Sequence, residues 1–241
     1  MDGDSIPTKN RGRGVFWYKP EKGVQPSIRF LAKSGESVKV KFPQAEKQGL
    51  SLQLAQKDSL LSVAVCASGN LSGESLGLTI MHEGCLEVFR PLKNRDTVRV
   101  SIPSLRSSGV HQVTVFNSEG HVLADRLVFV VKKGMDKPTL TVNCSNREYS
   151  PNEKIELDIS APSLKEVPGK GYTSIAVRDG NYSDYLFDNG SIFTEMLLSS
   201  EIKGFVPNPG WFFEKDDEEH RQALDLLMMT QCLRYFESPP S

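Results

Sequence analysis

Stretches in which every second residue is apolar constrain this chain more than any motif does. In Ser37-Val38-Lys39-Val40-Lys41-Phe42 the apolar residues fall on one side of an extended backbone and the charges on the other. Thr97-Val98-Arg99-Val100-Ser101-Ile102 and Lys154-Ile155-Glu156-Leu157-Asp158-Ile159 repeat the pattern. Successive side chains of a strand point to opposite faces, so each stretch reads as a strand with one wet face, as in antiparallel sheets. Leu60 to Ala67, Val110 to Phe116 and Leu127 to Val131 are apolar on both faces and read as central strands. Turn signals lie between them: Ser68-Gly69-Asn70, Glu83-Gly84, Ser107-Ser108-Gly109 and Ser118-Glu119-Gly120. Asn117 to Gly120 joins two of the strands as a hairpin. Many short strands at near-regular spacing point to β-sandwiches. A parallel α/β fold needs amphipathic crossover helices, and the sequence offers none before about residue 214.

The chain is 241 residues long, enough for about two domains. Lys132-Lys133-Gly134-Met135-Asp136-Lys137-Pro138 is charged, carries Gly and Pro, and separates two strand-rich blocks, so it reads as a linker. A second boundary falls between Phe42-Pro43 and Gly49. The expected organisation is therefore incomplete strands of a preceding module in 1–42, a full sandwich in 43–133, a second sandwich in 134–213, and a helix with its tail in 214–241. The strands of the first part, near Val15–Tyr18 and Ile28–Ala32, are too few to enclose a core. The helix is expected from Glu214 to Phe236. Asp216, Asp217, Glu218 and Glu219 suit the positive end of its dipole. Leu224, Leu227 and Met228 form one apolar stripe and Leu226, Met229, Leu233 and Phe236 another, so the helix needs burial on more than one side. Docking between modules, or a homodimer through this helix, would provide it.

Charge excludes some partners. With 29 basic and 30 acidic residues spread evenly, the chain has no electrostatic footprint for nucleic acid or an anionic membrane. No apolar run approaches the ~18–20 residues of a membrane span. Met1 to Gly14 is polar and lacks the apolar centre of a signal peptide. Cys66, Cys85, Cys144 and Cys232 form no Cys-x-x-Cys pair, which argues against zinc. Cys66 and Cys232 suit buried free thiols, and four reduced cysteines are expected, with Cys66–Cys85 the pairing that one sandwich would permit.

No motif specifies a reaction. A Gly-x-Ser-x-Gly elbow, a P-loop and His-Glu-x-x-His are all missing. The four histidines, His82, His111, His121 and His220, lack ligand spacing; His111 and His121 facing each other across the hairpin, with Glu119, is the one metal arrangement worth testing. Asp179-Gly180-Asn181-Tyr182-Ser183-Asp184 alternates oxygens as a calcium loop does, but Asp184 stands where Gly is needed and Gly190 where a bidentate Glu is needed. An exposed turn explains it better. No metal or cofactor is expected. Phe16-Trp17-Tyr18 and Trp211-Phe212-Phe213 are aromatic clusters, and Trp17, Tyr18 and Trp211 are the candidate ligand-binding residues, since exposed rings stack on sugars or anchor partners. Packing of these rings at domain junctions is the alternative.

Several segments resemble a known family. Tyr149-Ser150-Pro151-Asn152-Glu153-Lys154-Ile155-Glu156-Leu157 resembles the Tyr-x-Pro-Gly-Glu-x-Val stretch that opens a strand of macroglobulin-type domains, with Asn152 in the place of Gly. Asn also tolerates a left-handed turn. Gly12-Arg13-Gly14-Val15-Phe16-Trp17-Tyr18-Lys19-Pro20 is similar to a stretch leading into a late strand of such domains. The hairpin Val110–Val130, the block Leu197-Leu198-Ser199-Ser200-Glu201-Ile202-Lys203-Gly204-Phe205-Val206-Pro207-Asn208-Pro209 and the helix Ala223–Gln231 resemble large Bacteroides-type envelope proteins. Those proteins string macroglobulin-like domains ahead of a segment like the plug of TonB-dependent receptors. Here Thr230-Gln231 continues as Cys232-Leu233-Arg234-Tyr235-Phe236, where the family has Gly-Trp-Arg-Arg-Tyr.

The resemblance implies an all-β chain of tandem Ig-like/macroglobulin-like antiparallel β-sandwiches with a C-terminal helix, cut from a longer envelope polypeptide. It implies a non-enzymatic structural or interaction module, in the periplasm or associated with the outer membrane, in contact with a protein partner or neighbouring domains and linked to nutrient uptake. A carbohydrate-binding sandwich using exposed aromatics is the alternative function. Limited proteolysis is expected to cut first at Lys132–Pro138 or in the tails; preferential cleavage within 50–130 would contradict the module boundaries.

Overall fold

Inward-facing residues of seven strands build one core. In a computed structural model, which describes residues 6, 8, 12–16, 18–19, 21, 23–44, 46–132, 140–146, 148–161, 175 and 190–231, the sandwich strands are β3 (Leu50–Lys57), β4 (Leu60–Ala67), β5 (Leu76–His82), β6 (Cys85–Leu92), β7 (Asp96–Ser101), β8 (Gly109–Asn117) and β9 (Val122–Val130). They follow β1 (Ser27–Leu31) and β2 (Ser37–Lys41). One sheet has the order β3-β4-β7 and the other β6-β5-β8-β9, all pairs antiparallel. This is an Ig-like sandwich that differs from the constant-type order in one place: β6 lies beside β5, not beside β7.

Alternation explains which residues fill it. On β4, Leu61, Val63, Val65 and Ala67 are buried. Leu76, Leu78 and Ile80 of β5, Val113 and Val115 of β8, and Val128 and Val130 of β9 meet them from the opposite sheet. Cys66 has the other parity on β4 and is an exposed free thiol, contrary to the burial expected for it; Cys85 and Cys144 are also free and exposed.

Tight turns set the registers. Glu83 and Gly84 both have positive φ (48° and 73°), the requirement of a two-residue type I′ hairpin, and they pair His82 with Cys85. Asn117 closes the β8–β9 turn by accepting from the amides of Glu119 and His121 through Oδ1, at 3.1 and 2.9 Å. On the outer face of the larger sheet, the Phe116 ring lies on Gly77: a Cβ there would come within 2.6 Å of it. Phe89 stacks on Phe116, with centroids 6.3 Å apart.

The C-terminal segment forms a third layer over β8 and β9. It comprises α1 (Ile192–Thr194), a π-helical turn (Glu195–Ser199), a 3-10 turn (Pro209–Phe213) and α2 (Glu218–Thr230). Ser191 and Thr194 make a capping box at α1. The Asp217 side chain caps α2 by accepting from the His220 amide at 3.0 Å. The helix therefore starts at Glu218, not Glu214: a side-chain oxygen takes over an amide that helix extension would otherwise satisfy. Ala223, Leu224, Leu226, Leu227 and Met228 are buried, while Met229 is exposed, and α2 packs on β9 and on the Pro209–Phe213 turn. Burial on more than one side is thus found within the chain for the described part of the helix; Leu233 and Phe236 lie outside the described residues. Among described helices, none is long and apolar enough to cross a membrane.

The chain divides into two compact units, Met1–Lys132 with Asn189–Ser241, and Lys133–Asp188. Residues 190–213, expected in the second module, and the helix, expected as part of a separate tail, both gather with the first sandwich. The reason is apolar: Leu198, Ile202, Val206 and Phe212 are buried, and Phe213 packs on Phe129 of β9 at 5.3 Å. The linker segment 133–139 lies outside the described residues. In the other unit, β10 (Thr141–Cys144) pairs antiparallel with β11 (Leu157–Ser160). This strand is shorter than the alternation from Lys154 suggests. Asn152 has φ 66°, the left-handed position expected for it.

β1 and β2 form a two-stranded ribbon, with Ile28 opposite Val40 and Phe30 opposite Val38 on one face, and Arg29 opposite Lys39 on the other. Val15 and Phe16 are not in a strand, contrary to expectation, although the Phe16 ring meets Phe42 at 5.8 Å.

Leu78 is fully buried and Leu86 is 58% exposed. In urea unfolding, Leu78→Ala is expected to cost about 2–5 kcal/mol, and Leu86→Ala to leave stability almost unchanged.

Candidate functional site

At one end of the sandwich two histidines stack inside the protein. His82 ends β5 and His111 lies near the start of β8, directly opposite in register. Their parity matches that of Leu78 and Ile80, and of Val113 and Val115, so both rings turn toward the core side. The ring centroids are 4.5 Å apart and the planes 11° from parallel. His82 is 7% exposed and His111 0%.

Hydrogen bonding fixes their tautomers. His82 Nδ1 lies 2.8 Å from the Val110 carbonyl oxygen and His111 Nδ1 3.0 Å from that of Gly109. A carbonyl only accepts, so each Nδ1 is the donor and each neutral ring keeps its lone pair on Nε2. His111 Nε2 is buried without a hydrogen-bond partner. The Glu87 carboxylate lies 3.5 Å away, itself 3% exposed. Glu87 reaches this position because it is the extra residue of a β-bulge: Ile80 pairs with Val88 and Met81 with Leu86, leaving Glu87 unpaired and re-aimed. Both of its oxygens lie 3.3 Å from the Arg106 amide nitrogen, which donates to them. Glu83 Oε1 is 4.0 Å from His82 Nε2.

Burial pushes the His111 value below the ordinary histidine range, and the neighbouring His82 acts in the same direction; the Gly109 carbonyl and Glu87 oppose them. Burial, with the Glu83 charge, pushes Glu201 above the ordinary glutamate range, against His82. Two near-parallel rings at this separation do not aim two lone pairs at one ion, because a metal lies close to the plane of each imidazole that binds it. Among the described residues no group of three or more His, Cys, Asp or Glu is placed to hold a metal.

The expected facing of His111 and His121 is not found. His111 pairs with Val128 on β9, and seven residues at roughly 3.4 Å each separate Val128 from His121. His121 is in the turn beyond β8, exposed, 3.2 Å from Glu119.

Of the candidate ligand-binding rings, Trp17 lies outside the described residues, as does Asp179–Asp184. Tyr18 is 44% exposed. Trp211 is half-buried and its face is occupied: the His220 ring stacks on it at 4.3 Å, and Phe212 meets it edge-on at 5.5 Å. His220 is 5% exposed, and its Nδ1 is 2.6 Å from Asp217 Oδ1. The His220 amide, and then its ring, hold Asp217 below the usual carboxylate range. Trp211 thus packs at the base of α2, within one compact unit and not at a junction between units, and Tyr18 and Trp211 make no ring contact with each other among the described residues.

Arg126 was not singled out by any sequence pattern. Its Nη2 donates to both oxygens of Asp225 on α2, at 2.7 and 2.8 Å, and its Nη1 to the Leu54 carbonyl on β3, at 3.3 Å. One side chain thus ties both sheets to the helix.

No family model matches the chain, and no curated protein matches it. Among solved structures, the rat CD45 extracellular region, domains d3-d4, is similar at 12% identity and TM-score 0.25, covering 54% of this chain and 75% of that one. The Ig-like assignment rests on the strand order above.

Asp217→Ala is expected to lower the melting temperature at pH 7. A carboxylate held low contributes stability above its unfolded value near 3.8 and loses it as pH falls through its lower folded value. The gap between Asp217→Ala and the parent should therefore narrow below about pH 4; a constant gap from pH 7 to 3 would contradict the charged cap on the His220 amide and ring.

Proposed function

We propose that the chain is a non-enzymatic interaction module of a bacterial cell-envelope protein, making protein contact or scaffolding in the periplasm or at the outer membrane. The observation that carries the interaction is the β1–β2 ribbon. Phe30 is 52% and Val38 62% exposed on its apolar face, while Arg29, Lys39 and Lys41 are exposed. Two strands rarely suffice for a stable sheet. Each large side chain left in water forgoes about 1.5–3 kcal/mol of burial. A neighbouring domain, or a separate protein offering an apolar sheet face, supplies that burial and leaves the cationic face in water. The envelope setting and the link to nutrient uptake are supported by the resemblance over Leu197–Gln231. Carbohydrate binding finds less support, since the face of Trp211 is taken by His220.

Photocrosslinking tests this reading. A benzophenone amino acid placed at Phe30 or Val38 is expected to capture an envelope polypeptide in the producing cell, and one at Lys39 is not. Equal capture from both faces, or a glycan as the captured species, would overturn it.

A further inference from the structure

Two imidazoles stacked face to face in the interior are an uncommon use of histidine, because imidazole is the side chain whose unperturbed charge change lies nearest neutral pH. His82 and His111 satisfy one nitrogen each on adjacent backbone carbonyls, and any further proton must enter at Nε2. At His111 that atom is buried and unpartnered, with the shielded Glu87 carboxylate 3.5 Å away. We propose that the His82–His111 stack is a proton-operated latch on this end of the sandwich, closed while at most one ring is cationic and open when both are.

The first proton is accommodated by the arrangement. A cationic ring stacks favourably on a neutral aromatic one, and Glu87 stands beside His111 as its counter-ion. The second places like charges on rings 4.5 Å apart, in a setting where water cannot screen them. The groups facing the pair are Glu83 on the β5–β6 turn, Glu87 on the β6 bulge and Glu201 beyond the π-helical turn. The Lys132 ammonium is tied to the carbonyls of Leu105 and Arg106. Gly109 lets the His82 ring lie against the β8 backbone: a Cβ there would sit 2.8 Å from the ring, and the ring's Nδ1 donates to the Val110 carbonyl of the same strand. Opening therefore separates the start of β8 from the end of β5.

The signs are opposite for the two perturbed groups. His111, held low, contributes stability above its ordinary value near 6.5 and loses it as pH falls toward its folded value. Glu201, held high, contributes stability below its ordinary value near 4.5 and loses it as pH rises through its folded value.

Amide hydrogen exchange on the full chain, corrected for intrinsic rates, tests the latch, with histidine ring NMR to follow each protonation. From pH 7.5 to 5, protection at residues 109–113 is expected to fall, by up to about tenfold for each pH unit that separates the open and closed proton affinities. Amides of Leu61 and Val63 on β4 should keep their protection. His82→Gln removes the second charge and should weaken the acid opening, leaving the part that burial of His111 causes. Glu87→Gln removes the counter-ion and should move the opening to higher pH. Unchanged protection at 109–113, loss in parallel with β4, or the same pH profile in both variants as in the parent would each overturn the proposal. If His82→Gln does not fold at pH 7.5, the direction of the Glu87→Gln shift decides alone.

Discussion

Leu127 and Phe129 point away from the sandwich core, yet both are buried. A sheet that is apolar on both faces must be covered on both, and this requirement governs the arrangement of the larger unit. The inner face of β6-β5-β8-β9 closes on β3-β4-β7. The outer face of β8–β9 closes on the C-terminal segment, through Phe213 on Phe129 and α2 on β9. The hydrophobic effect supplies the attraction but no direction. Direction comes from polar contacts that fit in one pose, chiefly Arg126 between Leu54 and Asp225. Removing Asp225 would leave the mostly buried Arg126 guanidinium with the Leu54 carbonyl but without its counter-charge.

The same requirement explains why the two ribbons read differently from the sandwich. β1–β2 presents Ile28, Phe30, Val38 and Val40 on one face, with Phe30 and Val38 more than half exposed. β10–β11 likewise exposes Val142 and Leu157. Their alternation has the amplitude of a half-buried strand, although these apolar faces are largely exposed.

Much of the fold was legible because it is local. Leu60–Ala67 is a strand with the bounds that its composition suggests, Glu83-Gly84 and Asn117–Gly120 are the turns expected, and Asn152 adopts the conformation that its place in the resemblance implies. What escaped is non-local or ambiguous in parity. β4 is apolar on both sides, so nothing in the sequence told Cys66 from Val65. Asp216 to Glu219 suit a helix start at several positions, and the choice fell to the one aspartate whose side chain reaches the His220 amide. Arg126 and Asp225 are 99 residues apart and share no pattern. The histidine stack was half visible: parity puts both rings on the core side, but their juxtaposition depends on a cross-strand register that the bulge at Glu87 accompanies.

The contact between Phe116 and Gly77 carries a consequence for how such a chain varies. The ring occupies the space a methyl group would need, and it is held there from the side by Phe89. Glycine within a strand weakens the strand by itself, so this one is tolerated because an aromatic neighbour covers its backbone. Positions 77 and 116 are therefore not free to drift separately. In descendants of this sequence a side chain at 77 arrives together with a smaller residue at 116, or the ring swings out and abandons Phe89, and three positions on three adjacent strands inherit one another's changes.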